Sequence, residues 1–258
     1  MSEEAVDAPE DDVEMGFFEH LGELRTRLVH AIYGLLPAAA LCFVFVEELF
    51  QWIQRPLSLS YAKLGLEESP IHYSNLTEPF VTQIKISLVC GILLASPWIF
   101  YQVWAFIAPG LYRKEKRMAF LFIFASTICF AGGAIFGYSV VFPLACDFLL
   151  NVGTEMGAEA TIMMADYLSL TTRLLLAFGV VFEIPVIITV LSAMGIVNWR
   201  ALMKFGRWWI VLSTFMAAFL TPPDVVTQVL MLIPLVSLYY VGVLMAFLIE
   251  RRGKKEEA

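Results

Sequence analysis

The stretch "LLLAFGVVFEIPVIITVLSAMG", from Leu174 to Gly195, has the length and composition of a helix that crosses a lipid bilayer. It carries one carboxylate, Glu183, near its middle and two residues before Pro185. An ionised side chain at the centre of a membrane costs about 2.5–3.5 kcal/mol on insertion scales. A membrane helix that keeps such a group is therefore a candidate functional element.

The composition of the whole chain agrees with this first impression. The 258 residues are 59% hydrophobic and 16% charged, with a mean hydropathy of +0.75. Soluble domains are apolar in about half of their residues. The charges lie in short islands between long apolar runs, which indicates an all-α integral membrane protein. The acidic segment 1–17 lacks the basic region of a signal peptide and is expected to be a disordered cytoplasmic tail.

Six apolar segments predict six transmembrane helices. The fifth has thirteen residues and reaches only about 20 Å, against a hydrocarbon core of about 30 Å. The sequence "TPPD" at Thr221–Asp224 then breaks the helix. The last two helices are therefore expected to be short and to form a shallow hairpin. The six segments are 28–46, 84–107, 118–142, 168–194, 208–220 and 225–249.

The basic residues predict the orientation. Thirteen of the 17 lie in segments that alternate spans place on one side, so both termini are expected to be cytoplasmic. The opposite side holds Arg55 and Lys63, while Lys85 and Arg173 lie near the outer ends of their spans. The expected organisation is a membrane domain, 18–249, followed by a charged cytoplasmic tail, 250–258. The first outer loop contains "EELFQWIQRPLSLSYAKLG", which predicts short helices that form a structural cap.

The sequence offers no chemistry for an enzyme. It contains no HExxH, GxSxG or Walker motif, and its three histidines match no metal spacing. The four cysteines form no CxxC pair and are typical of apolar packing residues. We therefore expect no catalytic residue, no metal and no cofactor. The absence of an internal repeat argues against a transporter.

Two acids near the predicted membrane surface have ordinary explanations. Glu115, in "GLYRKEKRMAF", lies among four bases at the start of a helix, where an acid complements the helix dipole. Glu23, in "EHLGELRTRLVH", is four residues before Arg27 and can form an i,i+4 pair with it. For Glu183, a hydrogen bond between helices of one subunit is the ordinary alternative to a functional contact.

Five motifs in the same order resemble the TatC family, the polytopic component of the twin-arginine protein translocase. They cover nearly the whole chain, from about Phe18 to Ile249. The motifs are "HLGELRTRL" (20–28), "SPWIFYQVWAFIAPGLYRKEKR" (96–117), "FGYSVVFPLACDFL" (136–149), "AFGVVFEIPV" (177–186) and "LTPPDVVTQVLMLIPL" (220–235).

This resemblance implies a fold and an activity. Six helices with cytoplasmic termini would form a concave, glove-like shape in the cell inner membrane. The protein would bind twin-arginine signal peptides and, with TatA- and TatB-type single-span partners in a multimeric complex, export folded proteins. The protonmotive force would drive this export, and membrane lipid but no nucleic acid would be a partner.

The resemblance also assigns roles to particular residues. Carboxylates suit paired guanidinium groups because arginine makes two parallel hydrogen bonds to one carboxylate. The signal-peptide site would comprise Glu23, Arg25, Phe106, Tyr112 and Glu115. A polar contact within the membrane, facing a partner helix or the signal peptide, would comprise Glu183, Asp224 and Gln228.

One position departs from the family pattern, and one alternative function stays open. Tyr240 lies where many relatives carry a glutamate, which puts a polar contact of the sixth helix in doubt. The alternative is a proton-coupled small-solute transporter that uses Glu183 as its coupling carboxylate. The glutamates expected on the cytoplasmic side distinguish the translocase from the transporter, because a transporter needs no signal-peptide site on that side.

Overall fold

The structure is a computed structural model that describes residues 17–66, 71–107, 116–157, 161–221 and 224–256. In that part of the chain the regular elements are helices, and one isolated bridge joins His72 to Met163. The helices are α1 (Phe17–Val44), α2 (Val46–Leu64), α3 (Glu78–Ile107), α4 (Lys116–Phe136), α5 (Phe142–Glu155), α6 (Met164–Phe182), α7 (Ile184–Ala193), α8 (Trp199–Leu220) and α9 (Val225–Glu256). A π-helical turn, Gly137–Val141, joins α4 to α5.

Within the described residues, five helical segments are long and apolar enough to cross a membrane. They are α1, α3, the continuous α4–α5 unit, the α6–α7 pair and α9. The predicted apolar segments 1 to 4 and 6 each overlap one of these units, and only segments 1 and 4 extend past the end of theirs, by two residues and one residue. The α4–α5 unit runs well past residue 142, where the third apolar segment was expected to end.

The expectation of two short final helices is wrong in terms of helix length. Helix α8 has 22 residues and α9 has 32, against thirteen predicted for the fifth segment. The Asn198 side chain accepts a hydrogen bond from the backbone N–H of Ala201 at 2.7 Å, so the helix begins there as a capped helix. Its first turns carry Arg200, Lys204 and Arg207. Because these residues are charged, the apolar segment predicted from hydropathy begins only after them. Pro222 and Pro223 lie outside the described residues.

The predicted terminal segments have different outcomes. Residues 1–16 of the expected acidic tail lie outside the described part of the chain. At the other end, α9 continues through most of the expected charged tail and reaches Glu256. The segment 250–258 is thus mainly a continuation of the last helix.

The loop for which short helices were predicted forms one 19-residue amphipathic helix, α2. Its buried face packs with α3, α5 and α6 in the largest apolar cluster, which includes Ile53, Ile86, Phe142 and Phe178. Two polar contacts fix this region. Tyr167 donates a hydrogen bond to the carbonyl of Ile53 at 2.6 Å, and Lys63 forms an ion pair with Asp147.

Helix α1 is held along α3 by small residues. A Cβ atom on Gly34 would lie 2.1 Å from the Trp98 ring, and one on Gly91 would lie 2.7 Å from the Cα atom of Ala39. Glycine at these positions lets the two helices approach closely. The Trp98 indole N–H also donates a 2.8 Å hydrogen bond to the carbonyl of His30.

Candidate functional site

The first candidate site lies where α1 begins and α3 ends. The rings of His20 and Phe106 are stacked, with centroids 4.3 Å apart and planes 16° from parallel. Phe106 is half-buried by this contact. The structure therefore places Phe106 beside the turn of α1 that carries Glu23, two residues that the resemblance assigns to one site.

The carboxylate of Glu23 is only partly paired within α1. Its Oε1 atom lies 3.3 Å from Nη2 of Arg27, which confirms the predicted i,i+4 pair. Its Oε2 atom lies 4.0 Å from Nδ1 of His20 and is buried. None of the described residues donates a hydrogen bond to Oε2. Because an unmet buried acceptor is costly, this atom favours an additional donor.

The other predicted members of this site are less well defined. Arg25 is exposed on α1, and the structure records no ion pair for it among the described residues. Tyr112 and Glu115 lie outside the described residues, in the segment between Ile107 and Lys116. Their relation to Glu23 stays a prediction.

Glu183 lies at the break between α6 and α7 and is 7% exposed. Pro185 has no backbone N–H, so the regular helical bonding cannot continue through this point. Glu183 instead donates its N–H to the carbonyl of Val180 at 3.1 Å, and its own carbonyl accepts from Ile187 at 2.8 Å. The break therefore has a local cause in the sequence and places the carboxylate at a helix junction.

Three helices supply the surroundings of Glu183. The Ser126 hydroxyl of α4 lies near the carboxylate, and the Trp104 indole of α3 donates to the Ser126 oxygen at 3.3 Å. Polar neighbours on other helices of the chain favour the alternative that the sequence left open, a hydrogen bond of Glu183 within one subunit. The Oε1 atom is buried and has no hydrogen-bond partner among the described residues.

Gly179 does not leave free space beside Glu183. A Cβ atom on Gly179 would lie 2.7 Å from the ring of Phe130 on α4. The close approach that glycine permits is therefore already used within the chain.

Asp224 and Gln228 have structural partners at the start of α9. The Asp224 carboxylate accepts from the backbone N–H of Thr227 at 2.7 Å and from the Thr227 hydroxyl, as an N-terminal cap does. The Gln228 amide donates to the carbonyl of Thr214 on α8 at 3.3 Å. In the described residues, no recorded hydrogen bond or ion pair joins these two residues to Glu183.

Sequence reasoning missed three residues that shape the two sites. His20 links Glu23 to Phe106, while Ser126 and Trp104 connect Glu183 to α4 and α3. The signal for His20 was its i,i+3 spacing from Glu23. The signal for Ser126 was a hydroxyl in an otherwise apolar span, where polar groups require partners. No group of possible metal ligands is found in the described residues.

Comparison with known proteins gives consistent matches. Residues 19–234 match the family model described as Sec-independent protein translocase protein (TatC). A TatC protein from Desulforapulum autotrophicum is 39% identical over 94% of this chain and 87% of its own length. One from Aquifex aeolicus is 38% identical over 93% of this chain and 98% of its own length.

A solved structure extends the similarity to three dimensions. The crystal structure described as the twin arginine translocase receptor TatC superposes with a TM-score of 0.80 at 38% identity. The match covers 90% of this chain and 99% of that one. The same helical arrangement thus accompanies the sequence similarity over nearly the whole chain.

Proposed function

The chain belongs to the TatC family of Sec-independent protein translocase proteins, and from this premise we propose that it is the signal-peptide receptor of a twin-arginine translocase. Family membership makes it a multi-pass membrane protein and a translocase component. The proposal adds the ligand, a signal peptide with two consecutive arginines, and the surface that binds it.

This proposal rests on the carboxylate of Glu23. One of its oxygens is paired with Arg27, and the other is buried without a hydrogen-bond donor among the described residues. A guanidinium group supplies donors in the planar fork that a carboxylate accepts. The Phe106 ring beside it offers an apolar contact for the peptide. In the proposed site Glu115 binds the second arginine, and Tyr112 and Arg25 border the peptide.

The proposed topology places this site on the cytoplasmic face of the cell inner membrane. It consists of six spans with cytoplasmic termini in a concave, glove-like arrangement. Thirteen of the 17 Lys and Arg residues lie near the start of α1, between α3 and α4 or at the first turn of α4, in the first turns of α8 and at the end of α9, which supports this orientation. Helix α8 supplies the sixth span, since its 22 residues reach about 33 Å.

The proposed complex includes TatA- and TatB-type single-span proteins and uses the protonmotive force to export folded proteins. Glu183, Asp224 and Gln228 are the polar contacts for assembly or transport in this proposal. The unpaired Oε1 atom of Glu183 supports the first of these roles. Asp224 and Gln228 are half-buried and each retains hydrogen-bonding capacity beyond its contact within the chain.

Replacement of Glu115 by alanine tests the receptor role. A charge-assisted hydrogen bond contributes about 1.5–3 kcal/mol, so Glu115→Ala is expected to weaken binding of a twin-arginine peptide roughly ten- to hundredfold. A peptide with two lysines is expected to bind poorly to the unaltered protein, because ammonium cannot reproduce the fork. The measurement is peptide affinity of the purified full chain.

Glu48→Ala is the matched control, since Glu48 is an exposed acid on α2, away from the proposed site. Its peptide affinity is expected to equal that of the unaltered protein. Equal affinity of the Glu115→Ala variant would contradict the assignment of this residue to the site.

Replacement of Glu183 separates recognition from transport. Glu183→Ala is expected to preserve peptide binding but to reduce export into membrane vesicles, and Glu183→Gln is expected to be milder because it still forms hydrogen bonds. Loss of peptide binding equal to that of Glu115→Ala would contradict this division. The transporter alternative would be favoured by a different result. In that case the protein would take up a solute together with protons, Glu183→Gln would abolish this uptake, and both variants would bind the peptide and export normally.

A further inference from the structure

A cavity of about 630 Å³ lies between α2, α5, α6 and the end of α8, apart from both candidate sites. This volume falls within the range of about 300–1,000 Å³ that is typical of small-ligand pockets. Its walls are mainly apolar and include Leu57, Phe142, Leu149, Leu150 and Phe219. An apolar chain in this cavity would cover these side chains and shield them from polar groups.

Two opposite charges line the same cavity. Asp166 and Arg173 are seven residues apart on α6, so they lie on one face of the helix about 10 Å apart along its axis. Ser169 lies between them on this face and also lines the cavity. Both charged side chains are exposed, and the structure records no ion pair for either one among the described residues.

An unpaired arginine in an apolar span requires an explanation. Ionisable residues in membrane segments are costly, and they pair with one another or mark a binding or conduction site. Side chains of helical residues tilt toward the helix N-terminus, so the long side chain of Arg173 extends in the direction of Asp166. The two groups nevertheless lie farther apart than the 4.0 Å limit for an ion pair. A group with both signs of charge would give each of these side chains a partner.

We propose that this cavity binds one zwitterionic phospholipid with a primary ammonium group, of the phosphatidylethanolamine class. Arg173 binds the phosphate through its guanidinium fork, Asp166 accepts from the ammonium, and an acyl chain fills the apolar part of the cavity. The order of charges along α6, with the carboxylate before the guanidinium, matches the order of ammonium, phosphate and acyl chain in this lipid. Phosphatidylcholine fits less well because its quaternary ammonium donates no hydrogen bond.

Charge complementarity selects this occupant over an apolar helix of another protein. A transmembrane helix would bury Asp166 and Arg173 against apolar side chains and leave both charges without partners, which is costly. The phospholipid provides a partner for each charge and requires no second protein. The site is independent of signal-peptide recognition, which involves the start of α1 and the end of α3.

Lipid binding to the purified full chain tests the proposal by native mass spectrometry in detergent. The unaltered protein is expected to retain phosphatidylethanolamine about tenfold more strongly than phosphatidylcholine. Arg173→Gln is expected to weaken both lipids roughly tenfold, because it removes the phosphate contact. Asp166→Asn is expected to remove the preference between the two lipids and leave phosphatidylcholine binding unchanged. Lys85→Gln, which removes an exposed base on α3 that does not line the cavity, is the control.

Two results would overturn the proposal. One is equal binding of the two lipids by the unaltered protein, and the other is equal lipid binding by Arg173→Gln and Lys85→Gln. Photo-crosslinking identifies the occupant directly, with p-benzoylphenylalanine replacing Phe219 in the cavity wall and Phe215 on α8 as the control position. A phospholipid adduct specific to position 219 is expected. A peptide or protein adduct there would assign the cavity to a different occupant.

Discussion

Helices α1 and α2 follow each other with only Phe45 between them, yet they differ in what they bury. Among its described side chains, the 28-residue α1 buries only one, Cys42. The 19-residue α2 buries six: Val46, Ile53, Pro56, Leu57, Ser60 and Tyr61. The more apolar of the two helices is thus the less buried one.

This contrast shows that an apolar sequence in a membrane protein does not predict burial. Lipid is as apolar as leucine, so α1 can expose its side chains without the penalty that water would impose. Helix α1 is attached to α3 along a narrow line of small residues, whereas α2 is packed into the largest apolar cluster. The proposed receptor site is therefore on the helix with more free surface.

The largest expected difference comes from two isoleucines. Ile53 on α2 is 6% exposed, and Ile32 on α1 is 46% exposed. Ile53→Ala is expected to lower the free energy of unfolding by about 2–5 kcal/mol, because it leaves a cavity in the cluster. Ile32→Ala is expected to change it by no more than about 0.5 kcal/mol. Denaturant unfolding followed by tryptophan fluorescence measures both, and similar losses would show that α1 is buried as α2 is.

An intermediate effect is expected where α1 meets α3. Gly91→Ala places a Cβ atom 2.7 Å from the backbone of Ala39, so overpacking is expected to cost about 1–3 kcal/mol. Gly132→Ala on α4 is the matched control, since none of the described atoms lies within 4 Å of its Cβ position. The control is expected to be neutral or stabilising by up to about 1 kcal/mol. Equal stability of the two variants would mean that the α1–α3 contact does not require glycine.

The smallest effects are expected from the ion pairs of the two helices. Lys63 and Asp147 join α2 to α5, while Glu23 and Arg27 lie within α1. Double-mutant cycles are expected to give coupling of about 0.2–1 kcal/mol for the first pair and about 0.3–0.5 kcal/mol for the second. Both values should fall at high salt. Disulfide trapping between cysteines introduced on α2 and α5 is expected to become less efficient when the Lys63–Asp147 pair is removed, but not when the Glu23–Arg27 pair is removed. An equal effect of the two removals would contradict the assignment of the first pair to the contact between α2 and α5.

The sequence predicted the membrane spans well because lipid selects strongly for apolar residues. It predicted helix ends less well, since caps and prolines rather than hydropathy determine them. Asn198 caps α8, which begins at Trp199, nine residues before the apolar segment at Trp208. The pairing of Glu23 with Arg27 was predictable because it is local, whereas the contact between Glu183 and Ser126 depends on how separate helices pack.

The surroundings of Tyr240, where the resemblance led us to expect a glutamate, also depend on packing. The Tyr240 hydroxyl lies 2.8 Å from the position that a Cβ atom on Gly206 would occupy. Glycine on α8 thus makes space for the larger side chain on α9. Two residues far apart in the sequence thus form one contact, and neither residue alone indicates it.

The π turn at Gly137–Val141 determines the rotational phase of everything that follows it in α5. The N–H of Phe142 donates to the carbonyl of Gly137, five residues earlier, so this turn holds one residue more than an α-helical turn. Regular α-helical bonding with the same number of residues would rotate α5 by about 100° relative to α4. Phe142 would then leave the apolar cluster and Asp147 would leave Lys63. A relative that lacks both the π turn and one residue at this point would keep the same helix faces, whereas a relative that lacks the turn alone would not.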